Sequence, residues 1–441
     1  MKNCGPVAWN SYPQLLQEIE TIQRYGRVNQ VIGLVIEGNG PLSAIGHMCL
    51  IEVRSEGRLI PAEVVGFRDQ KILLMPLGES RGVEPGCRII PMSSPALAKV
   101  GQGILGRVLD GMGNAMDTGK PIEPEKTVPL YAQPANPVIR QRITQPIDVG
   151  IRAINALLTL GKGQRMAIFS GSGVGKSTLL GMIARHTTAE INVIALIGER
   201  GREVREFLEK DLGEEGLKRS VVIVATSDQH PLLRIRGAYL ATAIAEYFRD
   251  QNQDVLLMMD SITRFAMALR EVGLAIGEPP TAKGYTPSVF AQLPKLLERA
   301  GTTFDRGSIT GLYTVLAEGD DLNDPITDAV RAIADGHIVL SRELANQNHY
   351  PAVDILASIS RVMNDIVPPD QIEARNQLVS LMATYKRAED LINIGAYVAG
   401  SNPQIDYAVK KIPDVNRFLC QEVKERCGYG DSLDGLKSLF S

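Results

Sequence analysis

A strand–loop–helix pattern around Lys176 constrains the fold of this chain more than any other feature. The apolar run Arg165–Phe169 has the character of a buried strand, and a helical pattern starts after Ser177. Between them lies SGSGVGKS, which matches the phosphate-loop pattern G-x-x-x-x-G-K-[ST] except for Ser170 in place of the first glycine. Glycines let successive N–H groups converge on phosphate oxygens at a helix N-terminus, so the segment predicts a nucleotide-binding site.

Residues of this loop take distinct roles in the prediction. Lys176 places a positive charge beside the β- and γ-phosphates, and the Ser177 hydroxyl offers an oxygen ligand to Mg²⁺. ATP and Mg²⁺ are therefore the expected cofactors. The predicted nucleotide contacts are Gly171, Ser172, Gly173, Val174, Gly175, Lys176, Ser177 and Thr178.

Two acidic residues follow other apolar runs and are candidates for the chemistry. Asp260 ends the run that starts at Val255, where a carboxylate would hold the Mg²⁺ shell through water, although an Asp is also a common strand end. Ser261 comes next rather than a second acid, so the catalytic base must lie elsewhere. Glu199 follows the run Asn192–Gly198 and is the candidate for orienting water at the γ-phosphate. The alternative for Glu199 is a solvated charge run at a helix start.

The composition is that of a globular chain without a strong net charge. Its 441 residues include 47 basic and 50 acidic side chains, so there is no global attraction to nucleic acid or to an anionic membrane. The cysteines are scattered and form no C-x-x-C pair, which argues against a zinc ribbon or a dithiol site. We expect reduced thiols in a cytosolic protein, without a signal peptide or a membrane span.

Patterns along the chain predict four parts. Residues 1–26 carry a short helical pattern that either binds a partner or packs on its own domain. Residues 27–95 contain short β-rich runs separated by Gly, Pro and Asn, which predicts a small β-barrel. Residues 96–368 begin with a Gly- and Pro-rich connector and continue with alternating strands and helices, typical of a mostly parallel sheet. Residues 369–441 have mainly helical periodicity.

Three finer expectations concern individual elements. Arg27–Glu37 is expected to be one strand, and Gln404–Lys424 is expected to be one helix. The connector over Val100–Gln145 is expected to wrap around the core rather than to join it.

Longer motifs extend beyond these single positions. They are FSGSGVGKSTLLGMIAR, IGERGREVREFLEKDLG, LLMMDSITRFAMALRE, GEPPTAKGYTPSVFAQLPKLLERAG, TVLAEGDDLNDPITDAVRAIADGHIVLSREL and HYPAVDILASISRVM. In this order they resemble the rotary F- and V-type ATPase family, and within it flagellar export ATPases and their type III secretion relatives. The resemblance covers about Arg24 to Leu419. It implies an α/β fold with a RecA-like P-loop NTPase core, an N-terminal β-barrel and a C-terminal helical domain.

The same resemblance implies roles for residues outside the phosphate loop. Glu199 falls on the water-activating glutamate, and Arg200 and Glu203 fall on the phosphate-contacting and magnesium-shell positions. Tyr350 falls on the tyrosine that stacks on adenine. Arg361 falls on the arginine finger that a neighbouring subunit inserts, so the resemblance implies a homohexamer whose active sites are incomplete in a monomer.

Partners and location are also implied by the resemblance. The expected partners are a peripheral-stalk-like regulator at the N-terminus, export-gate and stalk proteins, and substrate–chaperone complexes, at the cytoplasmic side of the inner membrane. Nucleic acid is not expected. Because Gly, Pro and small residues suit a loop that changes shape, the segment Glu271–Tyr285 is expected to line a central pore; the alternative is a structured loop at the subunit interface. The favoured function is a flagellar protein export ATPase, and the alternatives are a virulence-type secretion ATPase, an ATP synthase or vacuolar-type subunit, and an RNA translocase.

Overall fold

The computed structural model describes residues 24–317, 319 and 321–440. The chain divides into two units, Met1–Ala96 and Leu97–Ser441. The helix predicted within residues 1–26 falls almost wholly outside the described residues and stays a prediction. Within the described part of the chain, no helix combines the length and apolarity that a membrane span requires.

The first unit contains a closed antiparallel barrel. Its strands are β1 (Gly26–Ile32), β2 (Val35–Asn39), β3 (His47–Val53), β4 (Arg58–Arg68), β5 (Lys71–Pro76) and β6 (Arg88–Pro95). They follow the order β1-β2-β5-β4-β3-β6 around the barrel, and alternate side chains such as Cys49, Ile51 and Val53 fill its interior. The predicted barrel is confirmed. The single strand expected over Arg27–Glu37 is wrong, because the chain reverses at Gly33, whose φ is +58°.

A mostly parallel sheet forms the centre of the second unit. The strands of this unit are β7 (Leu97–Val100), β8 (Val108–Asp110), β9 (Lys126–Pro129), β10 (Pro146–Ile147), β11 (Leu160–Gly161), β12 (Arg165–Ser170), β13 (Ile191–Ile197), β14 (Ser220–Ala225), β15 (Val255–Asp260), β16 (Ile309–Leu316), β17 (Gly336–Leu340) and β18 (Val353–Ser360). Eight of them form one sheet in the order β18-β17-β12-β16-β15-β13-β14-β8. Its neighbours pair in parallel except β17 and β18, which are antiparallel.

Helices cover this sheet and form the C-terminal end of the unit. The α-helices are α1 (Arg152–Leu157), α2 (Lys176–His186), α3 (Gly201–Glu206), α4 (Gly213–Lys218), α5 (Pro231–Arg249), α6 (Ile262–Ile276), α7 (Pro287–Leu297), α8 (Pro325–Ile333), α9 (Arg342–Asn346), α10 (Met363–Ile366), α11 (Pro369–Asn393), α12 (Pro403–Leu419) and α13 (Tyr429–Ser438). Side chains of α2, such as Leu180 and Ile183, share an apolar core with Ile194 of β13. Because the core strands are buried along their whole length, they are continuous apolar runs.

Strand register brings three loops to one edge of the sheet. Leu196 of β13 lies beside Asp260, and Ser170 at the end of β12 lies beside Leu316 of β16. Because these strands are parallel, the loops that follow them leave from the same edge. The fold therefore gathers the phosphate loop, Glu199 and Asp260, as the sequence predicts.

Three element boundaries differ from expectation. Part of the connector, Val108–Asp110, joins the main sheet as the edge strand β8 beside β14. The helix expected over Gln404–Lys424 ends at Leu419, because the next residue, Cys420, is extended. The segment Glu271–Tyr285 is not one loop, since α6 continues to Ile276 and ends where Gly277 adopts a φ of +94°.

A buried ion pair ties the helical layer to the connector, and its loss should be costly. The Arg299 side chain is fully buried, and its Nε donates to Glu246 Oε1 at 2.9 Å while Nη1 donates to Leu130 O at 2.8 Å. Replacing Arg299 with Met leaves the Glu246 carboxylate buried without its cation, so we expect the free energy of unfolding to fall by about 3–5 kcal/mol. Urea denaturation measures the loss. The exposed pair of Arg306 and Asp250 supplies the control, because Arg306→Met should change the free energy of unfolding by less than about 1 kcal/mol. Equal effects of the two substitutions would contradict a stabilising role for the buried pair.

Candidate active site

The phosphate loop lies between β12 and α2 with the backbone geometry that its glycines permit. Gly173 and Gly175 have φ values of +76° and +88°, and α2 begins at Lys176 directly after Gly175. Val174 is buried in the apolar core, so only its backbone can face a ligand. The Ser170 hydroxyl is buried and has no hydrogen-bond partner within the described residues. The N-terminus of α2 and the open loop thus form a cradle for an anion.

An aromatic ring lies beside this cradle. A Cβ atom placed on Gly175 would come within 3.3 Å of the Tyr350 ring, which shows that the ring packs against the loop backbone. Tyr350 is held by its main chain, since its carbonyl accepts from the Gln421 N–H at 2.9 Å, and the residue as a whole is 39% exposed. It is therefore not a buried core aromatic, and its ring lies directly beside the phosphate loop.

Lys176 is the centre of the charged part of the site. Its ammonium contacts Asp260 Oδ1 and lies 3.3 Å from Glu199 Oε1. Both carboxylates and the lysine are largely buried, so their mutual attraction is weakly screened. Burial alone would lower the pKa of Lys176, but the carboxylates of Asp260 and Glu199 outweigh it and raise that pKa. The lysine is therefore a fixed positive charge between two carboxylates.

Local backbone geometry explains the position of Glu199. Gly198, just after β13, has a φ of +73°, and a Cβ atom there would lie 2.6 Å from the Cβ of Arg264. Only glycine allows this turn, and it directs Glu199 toward Lys176. The Glu199 carbonyl accepts from the Ser227 N–H at 3.1 Å, which ties the turn to the loop after β14.

The acidity of Glu199 is unusual. Burial and the neighbouring Asp260 carboxylate raise the pKa of Glu199 to about 7. A hydrogen bond from Glu199 lowers the pKa of Glu203, which lies in the first turn of α3, 3.8 Å from the Arg200 guanidinium. A carboxyl group whose pKa lies near neutrality is suited to accept a proton from water.

This pKa has a measurable effect on stability. Because the folded pKa of Glu199 lies above its ordinary value of 4.5, the free energy of unfolding of the nucleotide-free protein falls as the pH rises from about 4.5 to about 7. Glu199→Gln lacks this titration. Relative to the original protein, we expect the free energy of unfolding of the variant to rise by about 1–3 kcal/mol as the pH increases across that window. Above the window the difference should stay constant. Urea denaturation at several pH values measures this difference, and a difference independent of pH would be incompatible with the raised pKa.

The residues predicted to hold Mg²⁺ lie at the same edge. Ser177 is exposed at the start of α2, and Asp260 ends β15 with Thr314 Oγ1 donating to its Oδ1 at 2.6 Å. Glu203 is half-exposed on α3. Among the described residues there is no cluster of three His, Cys, Asp or Glu side chains arranged for a metal. A hydroxyl and one or two carboxylates fit Mg²⁺ that arrives with ATP, because this ion takes its other ligands from water and phosphates.

Other predicted residues occupy different positions. The Arg200 side chain is 79% exposed at the start of α3, open to a ligand. Thr178, another predicted nucleotide contact, hydrogen-bonds the Asp211 side chain. Sequence reasoning missed Thr314 and Arg264, because only the pairing of β15 with β16 and the contact at Gly198 reveal their proximity to the site.

Arg361 lies far from the phosphate loop of its own chain. Leu340 of β17 is in register with Ser170, whereas Gly336 at the other end of β17 pairs with Ser360. Gly336 and Leu340 are four residues apart along β17, which is a distance of roughly 13 Å, and the phosphate loop lies beyond Ser170. The exposed Arg361 follows Ser360, and its N–H donates to Asp335 O at 3.0 Å. The fold therefore separates Arg361 from the site that its own chain builds.

Comparison with known protein families divides the chain into three matched regions. Residues 28–92 match the β-barrel domain of the ATP synthase alpha/beta family, and residues 150–360 match the nucleotide-binding domain of the same family. Residues 367–438 match the T3SS EscN ATPase C-terminal domain. The predicted combination of barrel, P-loop core and C-terminal helices is thereby confirmed.

Relatives and solved structures match nearly the whole chain. It is 54% identical to the flagellum-specific ATP synthase of Bacillus subtilis (strain 168), over 96% of this chain and 97% of that protein. It is 49% identical to the type 3 secretion system ATPase of Xanthomonas euvesicatoria, over 96% and 97%. Its structure is similar to that of the assembled ATPase EscN from the enteropathogenic E. coli type III secretion system, with a TM-score of 0.89 and 45% identity over 94% of this chain and 100% of that chain. EscN in complex with its central stalk EscO gives a TM-score of 0.87, again with 45% identity over 94% and 100% of the two chains.

Identities of this size over the whole chain agree with the resemblance found in the sequence. So does the geometry, in which a buried cluster of Lys176, Glu199 and Asp260 lies at the phosphate loop and Arg361 lies apart from it. The chain belongs to the family of flagellar and type III secretion ATPases, a branch of the ATP synthase alpha/beta family.

Proposed function

We propose that this chain hydrolyses ATP to ADP and phosphate to energise the unloading and export of flagellar proteins through a type III export apparatus. The observation that carries the hydrolytic part is the placement of buried Glu199 beside Lys176 at the phosphate loop, 3.3 Å apart. The flagellar part is supported by the 54% identity to a flagellum-specific ATP synthase over nearly the full length.

In the proposed mechanism, the loop from Gly171 to Gly175 and the N-terminus of α2 bind the phosphates through backbone N–H groups. Lys176 turns from its carboxylate partners to the β- and γ-phosphate oxygens, which frees Glu199 to orient a water and accept its proton. Ser177, Asp260 and Glu203 would hold Mg²⁺. Bound with ATP, this ion would neutralise charge on the β- and γ-phosphate oxygens.

The remaining proposed roles concern the nucleotide and its surroundings. The partly exposed Tyr350 stacks on adenine beside Gly175, and the exposed Arg200 contacts phosphate. Arg361 reaches the γ-phosphate bound by a neighbouring copy, because it lies at the opposite edge of its own sheet. A head-to-tail contact of this kind closes into a ring, and we propose a homohexamer. The assembled form of EscN supports this proposal.

The proposed partners follow the parts of the chain. Residues 1–26 bind a peripheral-stalk-like regulator, the barrel of residues 27–95 stabilises the ring, residues 96–368 are the ATPase core, and residues 369–441 form the C-terminal helical domain. Beyond the regulator, the ring engages stalk and export-gate proteins and substrate–chaperone complexes at the cytoplasmic side of the inner membrane. The structure of EscN with its central stalk EscO supports a stalk partner.

A second candidate function is a virulence-type type III secretion ATPase. It is favoured by the 49% identity to the type 3 secretion system ATPase of Xanthomonas euvesicatoria and by the EscN-like structure. Both functions use the same site, so the partner decides between them. Crosslinking tagged Glu199→Gln protein in its own host and identifying the attached proteins tests this. Flagellar export components are expected; virulence secretion components would favour the second candidate, and a membrane rotor with a sister nucleotide-binding subunit would overturn both.

A further inference from the structure

A buried hydrogen-bond network connects the residue before Arg361 with the C-terminal helices. Gln164, between β11 and β12, is fully buried, and its Nε2 donates to Ser360 Oγ and to Asp335 O, both at 3.1 Å. Its Oε1 accepts from the Gly161 N–H at 2.9 Å. The side-chain amide thus uses both ends, and it holds the two groups that flank Arg361: the Ser360 hydroxyl and the Asp335 carbonyl that accepts from the Arg361 N–H.

The network continues from Ser360 into the C-terminal helices. Ser360 Oγ donates to Thr159 O at 2.9 Å, and Thr159 Oγ1 accepts from Gln371 Nε2 at 2.9 Å. Gln371, in the first turn of α11, is fully buried and also donates to Ala156 O at 3.0 Å. Its Oε1 accepts from the Tyr429 hydroxyl of α13 at 2.6 Å. An unbroken series of bonds therefore runs from the backbone around Arg361 to α11 and α13.

We propose that Gln164 and Gln371 are positioning residues for Arg361, which fix the end of β18 and connect its position to the C-terminal helices. Buried amides cannot turn without leaving a donor or an acceptor unpaired, so this network admits one arrangement of Ser360. A guanidinium that must meet a phosphoryl group on another subunit depends on such placement. An error of about 1 Å at a reacting centre can lower the rate by about 10²-fold.

This proposal rests on the proposed role of Arg361 in a neighbouring site, and subunit mixing tests it. The test variants are Ser360→Ala, which removes one hydroxyl, and Gln371→Met, which removes the amide at similar size. We expect each to lower kcat at saturating ATP by about ten-fold. The Kd for a fluorescent ATP analogue and the protein concentration at half-assembly should change by less than about two-fold, because neither residue touches the phosphate loop. Ser360→Thr, which keeps a hydroxyl, should restore kcat.

A control variant and a mixture separate positioning from a general loss of packing. Ser432→Ala removes a buried serine hydroxyl of α13, one that donates to Gly428 O outside the network, and it should leave kcat unchanged. Glu199→Gln chains lack the proposed base but carry an intact Arg361. Mixed in equal amounts with Ser360→Ala chains, they should raise the turnover above that of pure Ser360→Ala at the same total concentration, although half of the chains are inactive.

The outcomes are distinct. A rise in the mixture, with rescue by Ser360→Thr, supports positioning of Arg361. If the turnover of the mixture falls to about half of that of pure Ser360→Ala, the defect lies in the variant's own site and the proposal is overturned. The proposal is also overturned if Ser360→Ala and Gln371→Met have the same kcat as Ser432→Ala. If Gln371→Met fails to fold, Ser360→Ala alone decides. Failure of the proposed role of Arg361 appears separately, because Arg361→Ala would then hydrolyse ATP normally. Failure of the proposed function would appear as an original protein that does not hydrolyse ATP.

Discussion

Replacing Glu199 with Gln should abolish ATP turnover and leave ATP binding intact. The amide keeps the size of the side chain but cannot accept a proton from water, so we expect steady-state hydrolysis to fall by at least about 10²-fold. The phosphate loop, Lys176 and Tyr350 are unchanged, and loss of one carboxylate next to Lys176 leaves more of its charge for the phosphates. The Kd for ATP should therefore stay equal or decrease.

Phosphate release and a fluorescent ATP analogue measure the two quantities side by side. Glu209→Gln is the matched control, because Glu209 is an exposed glutamate of the following helical turns that pairs with Arg205 on the protein surface. Its turnover should equal that of the original protein. Normal hydrolysis by Glu199→Gln would remove Glu199 from the mechanism and move the base to another residue.

Replacing Arg361 with Ala should remove the part of turnover that depends on assembly. The Arg361 side chain is exposed, and the backbone bond from its N–H to Asp335 O does not need the guanidinium, so the fold should persist. Without this positive charge at the neighbouring γ-phosphate, we expect kcat to fall by about 10³–10⁵-fold. The original protein should show turnover per chain that rises with protein concentration, whereas the variant should show none of that rise.

Sedimentation at each concentration keeps assembly and turnover separate in this experiment. Arg387→Ala, a change at an exposed arginine of α11, is the control and should keep the concentration dependence. If the Arg361→Ala variant assembles normally and its turnover per chain still rises with protein concentration, another residue must complete the neighbouring site.

Much of the site follows from the sequence because its signals are local. The glycines of the phosphate loop and the apolar runs before Glu199 and Asp260 define parallel strands, and parallel strands place their following loops at one edge. That reasoning correctly brings Glu199 and Asp260 to Lys176. Burial of Glu199, and therefore its pKa near 7, depends on packing that no local pattern contains.

Other features depend on contacts between distant segments. In the sequence Thr314 is one residue of a buried strand and gives no sign of a functional role. Only the pairing of β16 with β15 shows that its hydroxyl donates to Asp260. Arg361 looks like an ordinary surface arginine, and its role enters only through the family resemblance. The edge strand β8 has three residues within a Gly-rich connector, too few to give a periodic pattern.

The measurement that tests the shared active site most directly is the activity of a mixture of Glu199→Gln and Arg361→Ala chains. Each variant alone should be almost inactive, for different reasons. In a randomly mixed ring, about a quarter of the interfaces combine an intact Glu199 with an intact Arg361 from the neighbour. We predict that mixing restores turnover toward this fraction of the original rate. A mixture as inactive as its components, with assembly shown by sedimentation, would contradict a site completed by a second copy of the chain.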